Sequence, residues 1–168
     1  FRSIPSVTSP PAAEPVTLDA VKAHLRINPG DTSEDTEILD PLISAAREYC
    51  ELRTGRALAV ETLTVDLPAG RQYLPRPPIL EILSVQDGDG DVSYTANLAH
   101  GWVYLDRAAT VTYRCGYETL PLPLRQAILL LIAHWYTNRE AVVVGAFASV
   151  EVAQTVNSIL NLYKVWWF

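Results

Sequence analysis

The stretch Asp87-Gly88-Asp89-Gly90-Asp91 sets carboxylates at alternate positions. A calcium loop opens in this way, but it also needs glycine at position 6 and a bidentate glutamate at position 12. Val92 and Leu98 stand there instead. Asp-Gly pairs are equally the residues of tight hairpin turns, so the segment reads as a turn, with a cation or small-ligand site as the alternative. The histidines are His24, His100 and His134, and none has a second metal-ligating residue three or four positions on. His134 lies in an apolar helical run, which suits a core or interface histidine better than a general base. Cys50 and Cys115 are too few for a disulfide scaffold or a zinc site and read as reduced core thiols. Arg76, Arg107, Arg114, Arg125 and Arg139 are scattered, with no aromatic stripe beside them, and read as a solvated face. No nucleophile elbow, phosphate loop or dinucleotide fingerprint occurs. The sequence therefore names no catalytic residue, no metal site and no cofactor.

Composition sets the outer bounds. Of 168 residues, 49% are apolar and 19% charged, enough to build a core and too ordered a composition for general disorder. Thirteen basic against nineteen acidic side chains leave a net charge of −6. That balance opposes a protein that coats nucleic acid, but not one that nucleic acid merely passes. The longest apolar run, Ala127–Tyr136, is interrupted by His134 and falls short of the roughly 20 residues of a membrane span. No charged-then-apolar leader opens the chain, and because it starts at Phe1 and contains no methionine, residues ahead of Phe1 are expected.

Periodicity then assigns the elements. Residues 1–16 hold Pro5, Pro10, Pro11 and Pro15 and read as an extended arm. Thr17 is a good N-cap for a helix over about 17–28, stopped by Asn28-Pro29-Gly30. A second helix over about 35–54 shows Leu39, Leu42, Ile43, Ala46 and Cys50 on one face and ends at Gly55, the expected left-handed residue. The period then drops from 3.6 to 2, giving an all-β insert over 59–117. Within it, strands are expected at Ile79–Val85 and Val92–Thr95, and Trp102–Leu105 with Thr110–Tyr113 as a hairpin turned at Asp106-Arg107. Helices over about 122–140 and 152–164 follow. The fold class is α+β: a mostly helical bundle of about four helices, in one domain over 17–164, with short antiparallel strands inserted between helices 2 and 3.

Two features point outward. Apolar residues nearly encircle the third helix, so it must be covered on all sides. Leu124, Ile128, Leu131, Trp135 and Arg139 are therefore candidates for a subunit interface. The chain closes on the aromatic tail 165–168, and Tyr163, Val165, Trp166, Trp167 and Phe168 are candidates for docking into a partner.

Several soft motifs, in one order, carry a resemblance. They are Glu14–Ile27, Leu42–Glu51 followed by Thr54-Gly55-Arg56-Ala57-Leu58, Pro77-Pro78-Ile79 with Ser84-Val85, and Leu124–Tyr136 followed by Asn138-Arg139-Glu140. From Glu14 to Lys164 the chain resembles the head–tail connector (head-completion or adaptor) proteins of tailed bacteriophages, prophages and gene transfer agents. The resemblance implies a structural protein and not an enzyme. It implies a homo-oligomeric ring, of twelve subunits, beneath the portal protein. Such a ring extends the channel through which genomic DNA passes without specific binding, and it offers a platform to the next neck or tail protein, a stopper or terminator. The implied place is the neck of the virion, assembled in the host bacterial cytoplasm. A tail-terminator-type ring is the nearest alternative. The chain departs from the family's pattern in Val150-Glu151-Val152-Ala153, which lacks a proline near the start of the last helix, and in its aromatic end. On the exposed aromatic surface, that end is the expected portal-binding segment.

Overall fold

The structure, a computed structural model, describes residues 4–138 and 147–166. The backbone divides into two compact units, one of residues Phe1–Ala13 with Gly55–Glu118, the other of Glu14–Thr54 with Thr119–Phe168. The chain thus passes from one unit to the other at 13/14, 54/55 and 118/119.

The second unit is helical. Helix α1 (Leu18–Leu25) begins where the Thr17 hydroxyl accepts the Ala20 N–H at 3.3 Å. It ends at Arg26, left-handed at φ 60°, short of Asn28-Pro29-Gly30. One wide turn over Asp35–Leu39 leads into α2 (Asp40–Thr54). That turn lies directly ahead of Pro41, whose ring lacks an N–H and crowds the carbonyl four residues back, so a wider turn relieves the clash. Gly55, at φ 73°, closes the helix. Helix α3 (Leu122–Thr137) carries Pro123 in its first turn, and α4 (Phe147–Leu162) starts several residues before the expected 152. The core draws on all four: Val21, Ile43, Cys50, Ile128, Ile132 and Leu160 are buried.

The first unit is β. One antiparallel sheet runs β1 (Ser6–Ser9), β2 (Glu61–Leu67), β8 (Ala109–Cys115), β4 (Ile79–Asp87), β5 (Gly90–Asp91); a second runs β3 (Gly70–Tyr73), β7 (Trp102–Leu105), β6 (Tyr94–Asn97). Strand β8 is central and pairs with β2 in unbroken register from Glu61↔Cys115 to Leu67↔Ala109. Alternation sends Leu63, Val65, Val111 and Tyr113 into a core shared with Val103 and Leu105. The fold class is the expected one, an α+β chain with four helices among the described residues and its strands between the second and third.

Two expectations are corrected. Trp102–Leu105 and Thr110–Tyr113 are not a hairpin: β7 lies between β3 and β6, β8 between β2 and β4, and residues 106–108 carry the chain from one sheet to the other. Period-2 alternation fixes which residues share a face but not which strand is the neighbour. The strand expected at Val92–Thr95 is two shorter ones, β5 and β6, on either side of Val92. The extended arm, for its part, is also paired: β1 uses the proline-free stretch Ser6–Ser9 to border β2.

Candidate functional site

The Asp87–Asp91 segment is the turn joining β4 to β5. Asp87 accepts the Asp89 N–H at 2.9 Å and forms an ion pair with Arg107. These contacts hold its carboxyl below the usual carboxylate range, the Asp89 N–H being the larger cause. Gln86 donates to Asp91 at 3.0 Å. Two of the three carboxylates are thus engaged by side chains or backbone of their own neighbourhood, and among the described residues no three His, Cys, Asp or Glu side chains group as a metal site would require.

The other reactive types are dispersed. His24 and His100 are exposed, and the His100 Nδ1 meets Asn97 at 2.9 Å. His134 is half-buried in α3, 3.2 Å from the Asn138 amide. Cys50 and Cys115 are buried thiols that form no disulfide, one in each unit. Burial pushes the Cys50 thiol up to about 12, with the Glu51 charge adding to it. Of the arginines read as a solvated face, Arg76 reaches Glu61 at 2.7 Å, Arg114 reaches Glu81 at 2.5 Å, and Arg107 holds Asp87. They join neighbouring strands and turns.

The groups with the most buried chemistry were not legible in the sequence. Lys22 is enclosed and donates to Asp35 at 2.7 Å and to the Asp31 carbonyl at 2.8 Å, pinning the loop after α1. Beside it lies a hollow of about 300 Å³ bordered by Asn28, Asp31, Ser33, Glu34 and Tyr136, whose hydroxyl donates to Glu34 at 2.5 Å. Arg47 holds Glu14 at 2.8 Å and Glu51 at 2.9 Å, and Ser44 donates to Glu14 at 2.9 Å, so α2 grips the segment that leads into α1. The partners stand 4 to 102 residues apart, and only the Arg47–Glu51 pair has the i,i+4 spacing that sequence could have shown.

The expected contact residues fall in three places. Leu124 and Ile128 are wholly enclosed and Leu131 nearly so within the chain itself, and they offer almost no surface to a neighbour. Trp135 is half-buried, edge-on to Tyr49 with ring centres 6.0 Å apart. Tyr163 and Val165 are half-buried, whereas Trp166 is 63% exposed with the Lys164 ammonium 4.5 Å above its ring. Arg139, Trp167 and Phe168 lie outside the described residues.

The class this defines is an α+β scaffold whose buried charged side chains, Lys22, Glu51 and Glu61, are each tied in an ion pair that holds its own elements together. Comparison with known proteins narrows the class. Residues 15–86 match the family described as Phage gp6-like head-tail connector protein, so the resemblance read in the sequence holds over that stretch. The fold is similar to that of a chain in the neck of an empty gene transfer agent particle computed with C6 symmetry, at TM-score 0.76 and 19% identity, covering 98% of this chain and 97% of that one. It is also similar to a chain in the virion of a native gene transfer agent particle, at TM-score 0.71 and 19% identity, with the same coverage. No curated protein matches the chain in sequence. No helix among the described residues is long and apolar enough to cross a membrane.

Proposed function

We propose that this chain is a structural head–tail connector: a ring subunit in the neck of a phage-like particle, set beneath the portal protein and carrying no catalysis. The observation that supports this most is the connector-family match over residues 15–86, borne on a fold similar along 98% of the chain to a neck protein of a gene transfer agent particle. A ring of twelve contains a sixfold axis, which agrees with a neck treated in C6 symmetry; a ring of six would agree as well. Net charge −6 suits a channel wall past which DNA slides, since like charges repel and phosphate contacts would retard it.

Within this reading the end of the chain docks on the portal. Trp166 offers a large aromatic surface to solvent, and Tyr163 and Val165 stand beside it in sequence. Trp167 and Phe168 extend the same apolar segment. The subunit contact runs through Trp135 in the last turns of α3 and through Leu122 at its start, which is 75% exposed, with Arg139 following in the sequence. The opposite side of the ring receives the stopper or terminator.

Native mass spectrometry of the chain, alone and with portal protein, tests the proposal. A complex carrying about twelve copies, the number the resemblance implies for a closed ring, is the expected result. A chain that stays monomeric and ignores portal overturns it, and binding to tail tubes instead of portal moves the chain to the terminator ring.

A further inference from the structure

Strand β1 is attached in an unusual way. All four of its residues are exposed, and Ile4 just ahead of it is 90% exposed, so none of its side chains belongs to the core. What holds it is the main-chain ladder to β2 (Ser6↔Thr64, Val7↔Leu63, Ser9↔Thr62) and hydroxyl contacts to one residue. Thr8 Oγ1 lies 2.7 Å from Thr64 Oγ1, which lies 3.0 Å from Thr112 Oγ1, and the Ser6 hydroxyl donates to the Thr64 carbonyl at 3.2 Å. The edge of β2 therefore selects an extended Ser/Thr strand through backbone and hydroxyls. It reads nothing that distinguishes a strand of its own chain from the same strand of another copy.

The tether has a matching character. Residues 10–13, Pro10-Pro11-Ala12-Ala13, form no helix or strand. Beyond them Glu14 is gripped by Arg47 and Ser44 of the helical unit, whereas β1 counts with the β unit. The five residue steps from Ser9 to Glu14 reach at most about 17 Å. A tether so short confines β1 to its own chain or an adjacent copy.

We propose that in the assembled ring each copy seats its β1 on the β2 edge of the adjacent copy, so that the arms are exchanged round the closed ring. The proposal rests on the ring reading above. Exchange replaces each ladder hydrogen bond with an identical one, so it costs little, and in a closed ring every arm given is matched by one received. It also leaves no β2 edge open to unwanted pairing.

Two single variants test it, because their thiols can meet only between chains. Thr8→Cys and Thr64→Cys chains are mixed in equal amounts, assembled on portal protein, and oxidised with oxidised glutathione; Cys50 and Cys115 are buried and stay out of the reaction. About one junction in four, from random placement round a ring, brings the two thiols together. A disulfide-linked pair of one chain of each kind, found on a non-reducing gel of the assembled sample, is the expected result. A ring seen by native mass without that pair, while the Thr8→Cys/Thr64→Cys double variant closes the same disulfide within single chains, overturns the exchange and leaves the connector reading standing. No ring in the native-mass run overturns both.

Discussion

The amide of Val165 donates to the carbonyl of Thr54 at 2.8 Å, tying the segment after α4 to the last residue of α2. One residue on, Trp166 is left facing solvent. The hydrogen bond fixes where the aromatic end starts without covering it.

Replacing Trp166 with alanine should therefore weaken portal binding and leave the fold alone. An aromatic anchor at the centre of an interface contributes about 2 kcal/mol or more, or about 30-fold in affinity. Calorimetric titration against portal, beside a thermal melt of the variant, checks it. Unchanged affinity removes the tail from the portal contact.

Gly116 should not tolerate alanine. It sits at φ +110°, and a Cβ there would lie 2.0 Å from the Ala59 carbonyl oxygen, backbone that cannot swing aside. The expected loss is about 3 kcal/mol or more, a fall in Tm of about 6–12 °C for a chain of this length. Gly88→Ala, where a Cβ meets nothing within 4 Å, is the control and should change stability by less than about 0.5 kcal/mol. Equal melting temperatures for the two variants contradict the close approach.

Glu61 is 4% exposed and accepts from Arg76 at 2.7 Å. Arg76→Ala strips that cation from a buried carboxylate and should cost about 2–3 kcal/mol, less than a wholly enclosed pair because the guanidinium is partly in water. Changing Glu61 to glutamine as well should recover about 1 kcal/mol or more, since a neutral amide does not need the cation. Urea midpoints of the two single variants and the double variant give the coupling; strict additivity argues against it.

Alkaline pH should lower the stability of the chain. The Cys50 thiol ionises at 9.0 when unfolded and at about 12 when folded, so folding holds a proton that the unfolded chain has released. The stabilisation is complete below pH 9 and is lost as pH rises through that window, by about 1 kcal/mol for each pH unit per group. Burial of Tyr113 raises its hydroxyl in the same sense. Urea melts at pH 8 and 10.5 measure the slope, and Cys50→Ala should flatten it; an unchanged slope assigns the effect elsewhere.

Much of the helical layout was legible because its signals are local. Thr17 caps its own helix and Gly55 is left-handed for its own terminus, so each can be read within one turn. The strands were legible as strands, from Val and Thr at alternate positions, but their partners were not. Leu63 finds Tyr113 fifty residues away, and nothing near either names the other. The prolines of the arm hid β1, since the four residues between Pro5 and Pro10 look too few to pair until β2 is there to receive them. The apolar ring of α3 was read as surface for a neighbour, yet Leu124 and Ile128 are satisfied by their own chain. Burial demand is legible in a sequence; the identity of what meets it is not. Lys22 and Asp35, thirteen residues apart across a loop, look like ordinary surface charges until the loop closes on them.

The three crossings between units set an order in time on the ribosome. The β unit has all its strands once residue 118 has emerged, whereas the helical unit still lacks α3 and α4. Until then α1 and α2 lack α3, which packs against both, and the last helix to be synthesised is one that α2 waits for. Truncation late in the gene should therefore leave a β unit beside an unfinished bundle, a species with exposed apolar surface and a strong tendency to aggregate.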